Sequence, residues 1–291
     1  MAKKKVAKYN RITAFDIALY VIMILFMACI VVPFLHVIAV SFSQRGPVMR
    51  GEVSLWPIGF NIDTYKQMLS DGKFGMAYVN TIFYTVVGTA LSLITTAMAA
   101  YALSRQKIVG HKLFTVMITI TMFFGGGLIP TFLTVSNYGL TDTRWSMILP
   151  YLINTWNLIV MRSFFIAYPN EIIESGEIDG LRDPGVFLKL VLPTSKAALA
   201  TIGLYYAVAY WNAYMPARIY IRNQELYPVQ HLLQQMIASV TGEDAGQGEG
   251  QLVAATVRYC SIMIVITPIM CVYPFIQKYF VKGVMVGSIK G

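Results

Sequence analysis

Apolar and charged positions are sharply segregated along this chain. Six blocks are almost free of charge, at Ile17–Ser41, Gly75–Ser104, Leu113–Leu133, Trp145–Met161, Ala197–Ala217 and Tyr259–Ile276. Each approaches the ~20 residues a helix needs to cross ~30 Å of hydrocarbon. Backbone N–H and C=O groups cannot go unpaired in lipid, so a spanning segment must be a helix or part of a closed barrel. Barrel strands are shorter and alternate in polarity, which these runs do not. The pattern predicts an all-α membrane protein with six transmembrane helices in one domain over residues 16–280. A basic tail over 1–15 precedes it, and a second tail over 281–291 follows.

One charged stretch between the blocks reads as folded structure rather than loop. It runs over 169–197 as PNEIIESGEIDGLRDPGVFLKLVLPTSKA. Asn170 is a candidate N-cap, and Glu171, Glu174 and Glu177 favour the positive end of a helix. Gly180 suits the left-handed residue that ends a helix. Asp183-Pro184 reads as a second N-cap followed by proline at the first helical position. Val186, Phe187, Leu190 and Val191 give that second helix an apolar stripe, and Pro193 stops it. The prediction is helix, glycine turn, helix: a knob outside the bilayer with a charged tip at Arg182 and Asp183. From its residues alone, such a knob is either an amphipathic loop on the membrane surface or a docking element for a partner.

Charge sets the orientation. Hydrophobic residues make up 56% of the 291 positions and charged residues 13%, a balance that excludes an ordinary soluble domain. With the N-terminus inside, most of the 23 Lys and Arg fall on the cytoplasmic side, in the N-terminal tail, the Arg105–Lys112 turn, the knob and the C-terminal tail. This is the positive-inside arrangement. It accounts for the net charge of +9 by attraction to anionic lipid and needs no nucleic acid. Cys29, Cys260 and Cys271 lie in or beside apolar blocks with no metal or disulfide spacing, so free thiols are expected. The first apolar run is too long for a cleaved signal and reads as an uncleaved helix.

Several positions inside the blocks bear on function. Pro33 and His36 in the first read as a proline kink with a packed histidine, with gating or ligand contact as the alternative. An outside loop from Phe42 to Phe74 is rich in turn formers, with Trp56-Pro57 and Tyr65 suited to the interface or to an external partner, and another containing GEDAGQGEGQ (Gly242–Gln251) reads as flexible and solvated. The second block is rich in small residues, including Gly88, Ala97 and Ala100, which permit close helix packing. In the third, Gly125-Gly126-Gly127 followed by Pro130 predicts a break or hinge. No Walker motif accompanies these glycines, here or elsewhere, so any ATP must be bound by another chain. Tyr151, Asn154 and Asn157, at i, i+3 and i+6 of the fourth block, fall roughly on one helix face. Asparagines in such a face either bond between helices or line a polar path. Tyr206, Tyr210, Trp211 and Asn212 in the fifth block are either belt and packing residues or solute contacts. Rings stack on the C–H faces of sugars while amides bond hydroxyls.

The knob carries a resemblance. Glu174-Ser175-Gly176, Asp179-Gly180, Phe187 and Leu192-Pro193 resemble the cytoplasmic-loop signature of ABC-importer membrane subunits, in which Glu-Ala-Ala, Asp-Gly-Ala, Phe and Leu-Pro follow one another at these spacings. Ser175-Gly176 stands for Ala-Ala and Leu181 for the third alanine. FFGGGLIPTFL, LTDTRWSMILP, NLIVMRSFF, YAVAYWNAY, YPVQHLL and GVMVGSIKG extend the likeness over most of the chain, toward the carbohydrate-uptake branch. It is similar to the second membrane subunit of the maltose system, and nearer to subunits of the alginate type.

The resemblance implies a type I importer permease fold in a bacterial cytoplasmic membrane, with both termini cytoplasmic. It implies four kinds of partner: a second homologous permease, two ATPase subunits, an external solute-binding protein and an oligosaccharide or polysaccharide fragment. The knob would be the coupling helix. Glu174 would meet the ATPase surface, Asp179 and Gly180 would set the turn, and Ser175, Gly176, Arg182, Asp183, Phe187, Leu192 and Pro193 would complete the coupling surface. ATP and Mg would bind to the partners, and this chain would hold no cofactor, no metal and no catalytic residue. Tyr151, Asn154, Asn157, Tyr206, Tyr210, Trp211 and Asn212 are the expected substrate path. Two other classes compete. An ion-coupled carrier would need carboxylates deep in the membrane, and only Asp16, at an inner edge, comes near. An enzyme would need converging groups, and the three histidines are scattered. An ABC permease for peptides or other small solutes is the nearer alternative.

Overall fold

The computed structural model describes residues 13–70, 72–105, 110–241, 256–271 and 274. Among these residues all regular structure is helical. They divide into two compact units, one of Met1–Lys66 with Val240–Met263, the other of Gln67–Ser239 with Ile264–Gly291. Most of the N-terminal tail, the whole C-terminal tail and the Gly242–Gln251 loop lie outside the described residues.

In the first unit, α1 (Ala14–Ser41) is long and apolar enough to cross a membrane. Thr13 and Asp16 start it with a capping box, each side chain accepting the other's backbone N–H. Pro33 sits inside the helix. His36 donates from Nδ1 to Ser54 O at 2.8 Å, so its ring pins the following loop. A short helix α2 (Arg45–Met49) follows. Phe42 stacks between Phe60 and Tyr65, with centroids 5.6 and 5.1 Å away.

The second unit is organised around α4 (Gly72–Ser104), which follows α3 (Asp63–Ser70) and is the second helix long and apolar enough to span. Its small residues do what the sequence predicts. A Cβ on Gly88 would lie 2.7 Å from the Tyr210 ring, so only glycine lets α10 (Lys196–Trp211) approach this closely. Buried Ala97, Ala100, Ile202 and Met161 fill the same core.

Three of the six apolar blocks are not single straight helices. The third divides into α5 (His111–Phe123) and α6 (Leu128–Asn137), bent by 115° across Phe124 and the three glycines. The fifth follows α9 (Asp183–Thr194) at an 83° bend and ends at Trp211, after which α11 (Met215–Tyr220) starts anew. The fourth opens as two 3-10 turns, Arg144–Met147 and Leu149–Tyr151, and becomes helical only in α7 (Thr155–Ile166). Pro150 cannot supply a helical N–H, and the Asn154 side chain caps the helix by accepting from Asn157 N at 3.1 Å. The expected common face for Tyr151, Asn154 and Asn157 is therefore absent. Among the described residues, length and composition permit two spans, or up to four if each bent pair is one. The last helix, α13 (Thr256–Cys271), is apolar but shorter, and the end of the sixth block lies outside the described residues. Helices α8 (Asn170–Ile178) and α12 (Val229–Thr241) complete the set.

Candidate functional site: a glycine-turn knob on an arginine-capped core

Helices α8 and α9 form the predicted knob. The turn between them is a Schellman motif: Gly180 N donates to Glu177 O at 3.1 Å and Leu181 N to Gly176 O at 2.9 Å. Gly180 has φ +81°, the conformation such a turn requires and other residues resist. The helix starts are displaced by one residue from the sequence reading. Pro169 and Arg182 hold the N-cap positions, and Asn170 and Asp183 are the first helical residues, with no side-chain cap at either end. Pro184 is thus the second residue of α9. The helix also does not stop at Pro193 but reaches Thr194, after a π turn over Phe187–Val191. Pro193 lacks the N–H that an α turn would use, and the wider turn precedes it.

The knob has an outer and an inner face. Glu174, Ser175, Asp179, Arg182, Asp183 and Pro193 are exposed. So are large apolar side chains: Ile178 is 86% exposed, and Leu188 and Ile172 lie open as well. Gly176 is buried, where a Cβ would meet Leu190 Cδ1 at 2.6 Å. Phe187 turns inward onto Tyr101 of α4, centroids 4.9 Å apart, and meets Phe165 of α7 edge-on at 6.4 Å. Leu192 is half-buried beside it. A cavity of about 300 Å³ opens between α4, α7 and α8, with Glu174 and Glu177 on its wall.

The sequence reading missed the residue that ties this knob down. Arg105, at the end of α4, places Nη2 3.0 Å from Glu177 Oε1 and 3.4 Å from Asp183 Oδ1. Its guanidinium also lies 5.6 Å from the Tyr101 ring centroid. In the sequence it was one more basic residue of an inside turn. Its position at the boundary of an apolar block, ahead of two acids on the next polar segment, was the only signal.

Two tyrosines of α10, Tyr206 and Tyr210, point at α4. Tyr206 is 2% and Tyr210 4% exposed. The Tyr206 hydroxyl bonds Thr96 Oγ1 at 2.7 Å and accepts from Asn154 N at 2.9 Å. The Tyr210 hydroxyl bonds Ser92 Oγ at 2.9 Å. These two predicted path residues thus join helices in this structure. Asn157 is buried as well, whereas Tyr151 and Asn154 are exposed. Trp211 is half-buried, and its enclosed Nε1 has no hydrogen-bond partner among the described residues. Asn212 is exposed and accepts from Gln230 Nε2 at 3.2 Å instead of meeting α7.

The opposite end of α4 from Arg105 is held as firmly. Asn80 donates to Glu225 O at 2.6 Å and accepts from Arg144, whose guanidinium lies over the Phe83 ring at 4.9 Å. Asp142, with φ 60°, accepts from Arg222 N at 2.9 Å and Asn223 N at 2.8 Å. Those backbone bonds, that of Asn223 foremost, hold its carboxyl below the usual carboxylate range.

Comparison with known proteins places this arrangement. No family model matches the chain. It is 40% identical over 281 residues to the polygalacturonan/rhamnogalacturonan transport system permease protein YtcP of Bacillus subtilis (strain 168), covering 95% of this chain and 98% of that one. It is 25% identical over 275 residues to the diacetylchitobiose uptake system permease protein NgcG of Streptomyces coelicolor, covering 93% and 88%. The fold matches a chain of the crystal structure of a bacterial ABC transporter that imports the acidic polysaccharide alginate. The TM-score is 0.85 and the identity 35%, over 91% of this chain and 96% of that chain. Likeness of this extent to a permease, spanning nearly the whole of both chains, leaves one family: the chain belongs to the permease subunits of carbohydrate ABC transporters.

Proposed function

We propose that this chain is the membrane-spanning subunit of an ATP-driven, binding-protein-dependent importer of oligosaccharides or polysaccharide fragments. The full-length similarity to a polygalacturonan/rhamnogalacturonan permease carries the reading, and the fold match to an alginate importer supports it. Six spans place both termini and the knob in the cytoplasm of a bacterial inner membrane. A second permease subunit pairs with this one, two ATPase subunits bind below, and a solute-binding protein docks outside.

The knob acts as the coupling helix. Its exposed apolar Ile172, Ile178 and Leu188 suit a protein surface better than water, and the acids around them can pair with basic groups of a partner. ATP and Mg bind to the partner ATPases, whose closure moves the knob and switches the spans between inward- and outward-facing states. The solute path runs past Tyr151, Asn154, Trp211 and Asn212. Asn157, Tyr206 and Tyr210 support that wall from behind.

Two measurements test this. Proteoliposomes holding the complete complex should accumulate labelled oligogalacturonides or alginate oligomers only with ATP and the binding protein; uptake of peptides instead would overturn the substrate class. With the three native cysteines replaced, a cysteine in place of Lys189 should react with membrane-permeant maleimides in intact cells and resist impermeant ones; labelling from outside would overturn the topology.

A further inference from the structure

Charge and packing single out one residue that the coupling reading does not use. Glu177 closes α8 and Asp183 opens α9, so the two carboxylates stand on either side of the Gly180 turn. A single nitrogen of Arg105 reaches both. The arginine therefore joins the two halves of the knob to each other and both to the end of α4.

The arginine end of this cluster is sheltered, while the Glu177 side chain is 41% and that of Asp183 71% exposed. Exposed ion pairs contribute little, because water screens them and two long side chains must be ordered. The Arg105 side chain is only 18% exposed, stacks on Tyr101 and meets two acids at once. It also stands between two voids, of about 300 and 510 Å³, whose walls share Tyr101, Arg105 and Glu177. Buried Ile173 of α8 and Val186, Phe187 and Val191 of α9 seat the knob on the core, and Arg105 adds the polar tie from both helices to the end of α4.

We infer that Arg105 is a latch that makes α8, α9 and α4 move as one body, so that displacement of the knob is delivered to the membrane core. Arg105 is a positioning residue: it touches neither ATP nor solute. Without it, the knob still folds about Gly180 and still presents its outer face to an ATPase. The stroke is then lost in the joint between knob and core. This rests on the coupling reading above, and it adds the element that transmits the force.

The test uses the complete complex in liposomes. R105Q should keep ATPase binding and basal hydrolysis, while solute taken up per ATP hydrolysed falls roughly two- to fivefold, the loss expected for an ion pair with solvent-exposed acids. R105K restores the charge but not the fork and should recover only part. E177Q removes the shorter of the two contacts and should shift coupling in the same direction as R105Q, and adding it to R105Q should change nothing further. It also carries the test if R105Q fails to assemble. Nitroxide labels at the exposed positions Met98 and Glu171, with the three native cysteines replaced, supply a readout independent of transport. Their distance distribution should be narrow with Arg105 and broad in R105Q. Normal uptake per ATP in R105Q, or an unchanged label distance, overturns the latch. A wild-type complex that no saccharide stimulates overturns the importer reading instead, and the label distance still judges the latch.

Discussion

Replacement of Gly180 separates backbone strain from surface contact in the knob. Gly180 has φ +81°, and nothing lies within 4 Å of a Cβ built on it. Within this chain a side chain there meets no obstacle, so the penalty is conformational. An L-residue in the left-handed region costs about 1–2 kcal/mol, and less for Asn, whose short amide tolerates it. β-Branched residues are stiffer and worse. A penalty of that size lowers the population of the closed turn roughly 5- to 30-fold. The Schellman bonds from Gly180 N and Leu181 N are lost with it. The expected order of damage is G180N least, then G180A, then G180V. In the reconstituted complex, uptake should follow that order while insertion into the membrane stays normal. Wild-type uptake by G180V would refute the strain argument. Equal damage from G180N and G180V would also refute it and point to a clash with the docked partner.

Three further outcomes follow from the packing. G88A drives a methyl into the Tyr210 ring, whose hydroxyl is anchored on Ser92, so detergent-solubilised protein should lose about 1–3 kcal/mol of stability; an unchanged melting temperature would contradict the close approach. Y206F strips the partner from the Asn154 backbone N–H as well as from Thr96, and should cost about 1–2 kcal/mol. Y210F leaves no backbone N–H unpaired and should cost less, which paired thermal melts will rank. Asp142 has a depressed carboxyl pKa, so its stabilising bonds are complete above the ordinary carboxylate range and are lost as pH falls through the lower folded value. D142N keeps an acceptor for both N–H groups and tolerates φ 60°. Its melting temperature should vary less than that of wild type between neutral and acid pH, and D142A should melt lower than both at neutral pH.

What the sequence could and could not say has physical reasons. Runs of apolar residues announced α1 and α4 because length and composition decide whether a helix can span. The glycine triplet announced the break after α5, and Gly180 announced the knob's turn, because few other residues adopt such backbone. The size of the bends was not legible: 115° and 83° are set by what each helix packs against. The fourth block misled because apolar composition says nothing of Pro150 and an Asn154 cap. Those two postpone the helix and scatter Tyr151, Asn154 and Asn157. Tyr206 and Tyr210 looked like solute contacts because an aromatic residue with a polar tip serves packing and binding equally well; only Thr96, Ser92 and the Asn154 N–H show which use is made here. Arg105 was invisible as a latch because its partners lie 72 and 78 residues away.

The measurement that tests the account most directly is ATP hydrolysis by the complete reconstituted complex, with its binding protein, across a panel of oligosaccharides, peptides and ions. The account predicts stimulation by a saccharide, only when the binding protein is present, and loss of that stimulation in G180V. Stimulation by a peptide or an ion with no response to any saccharide would contradict it.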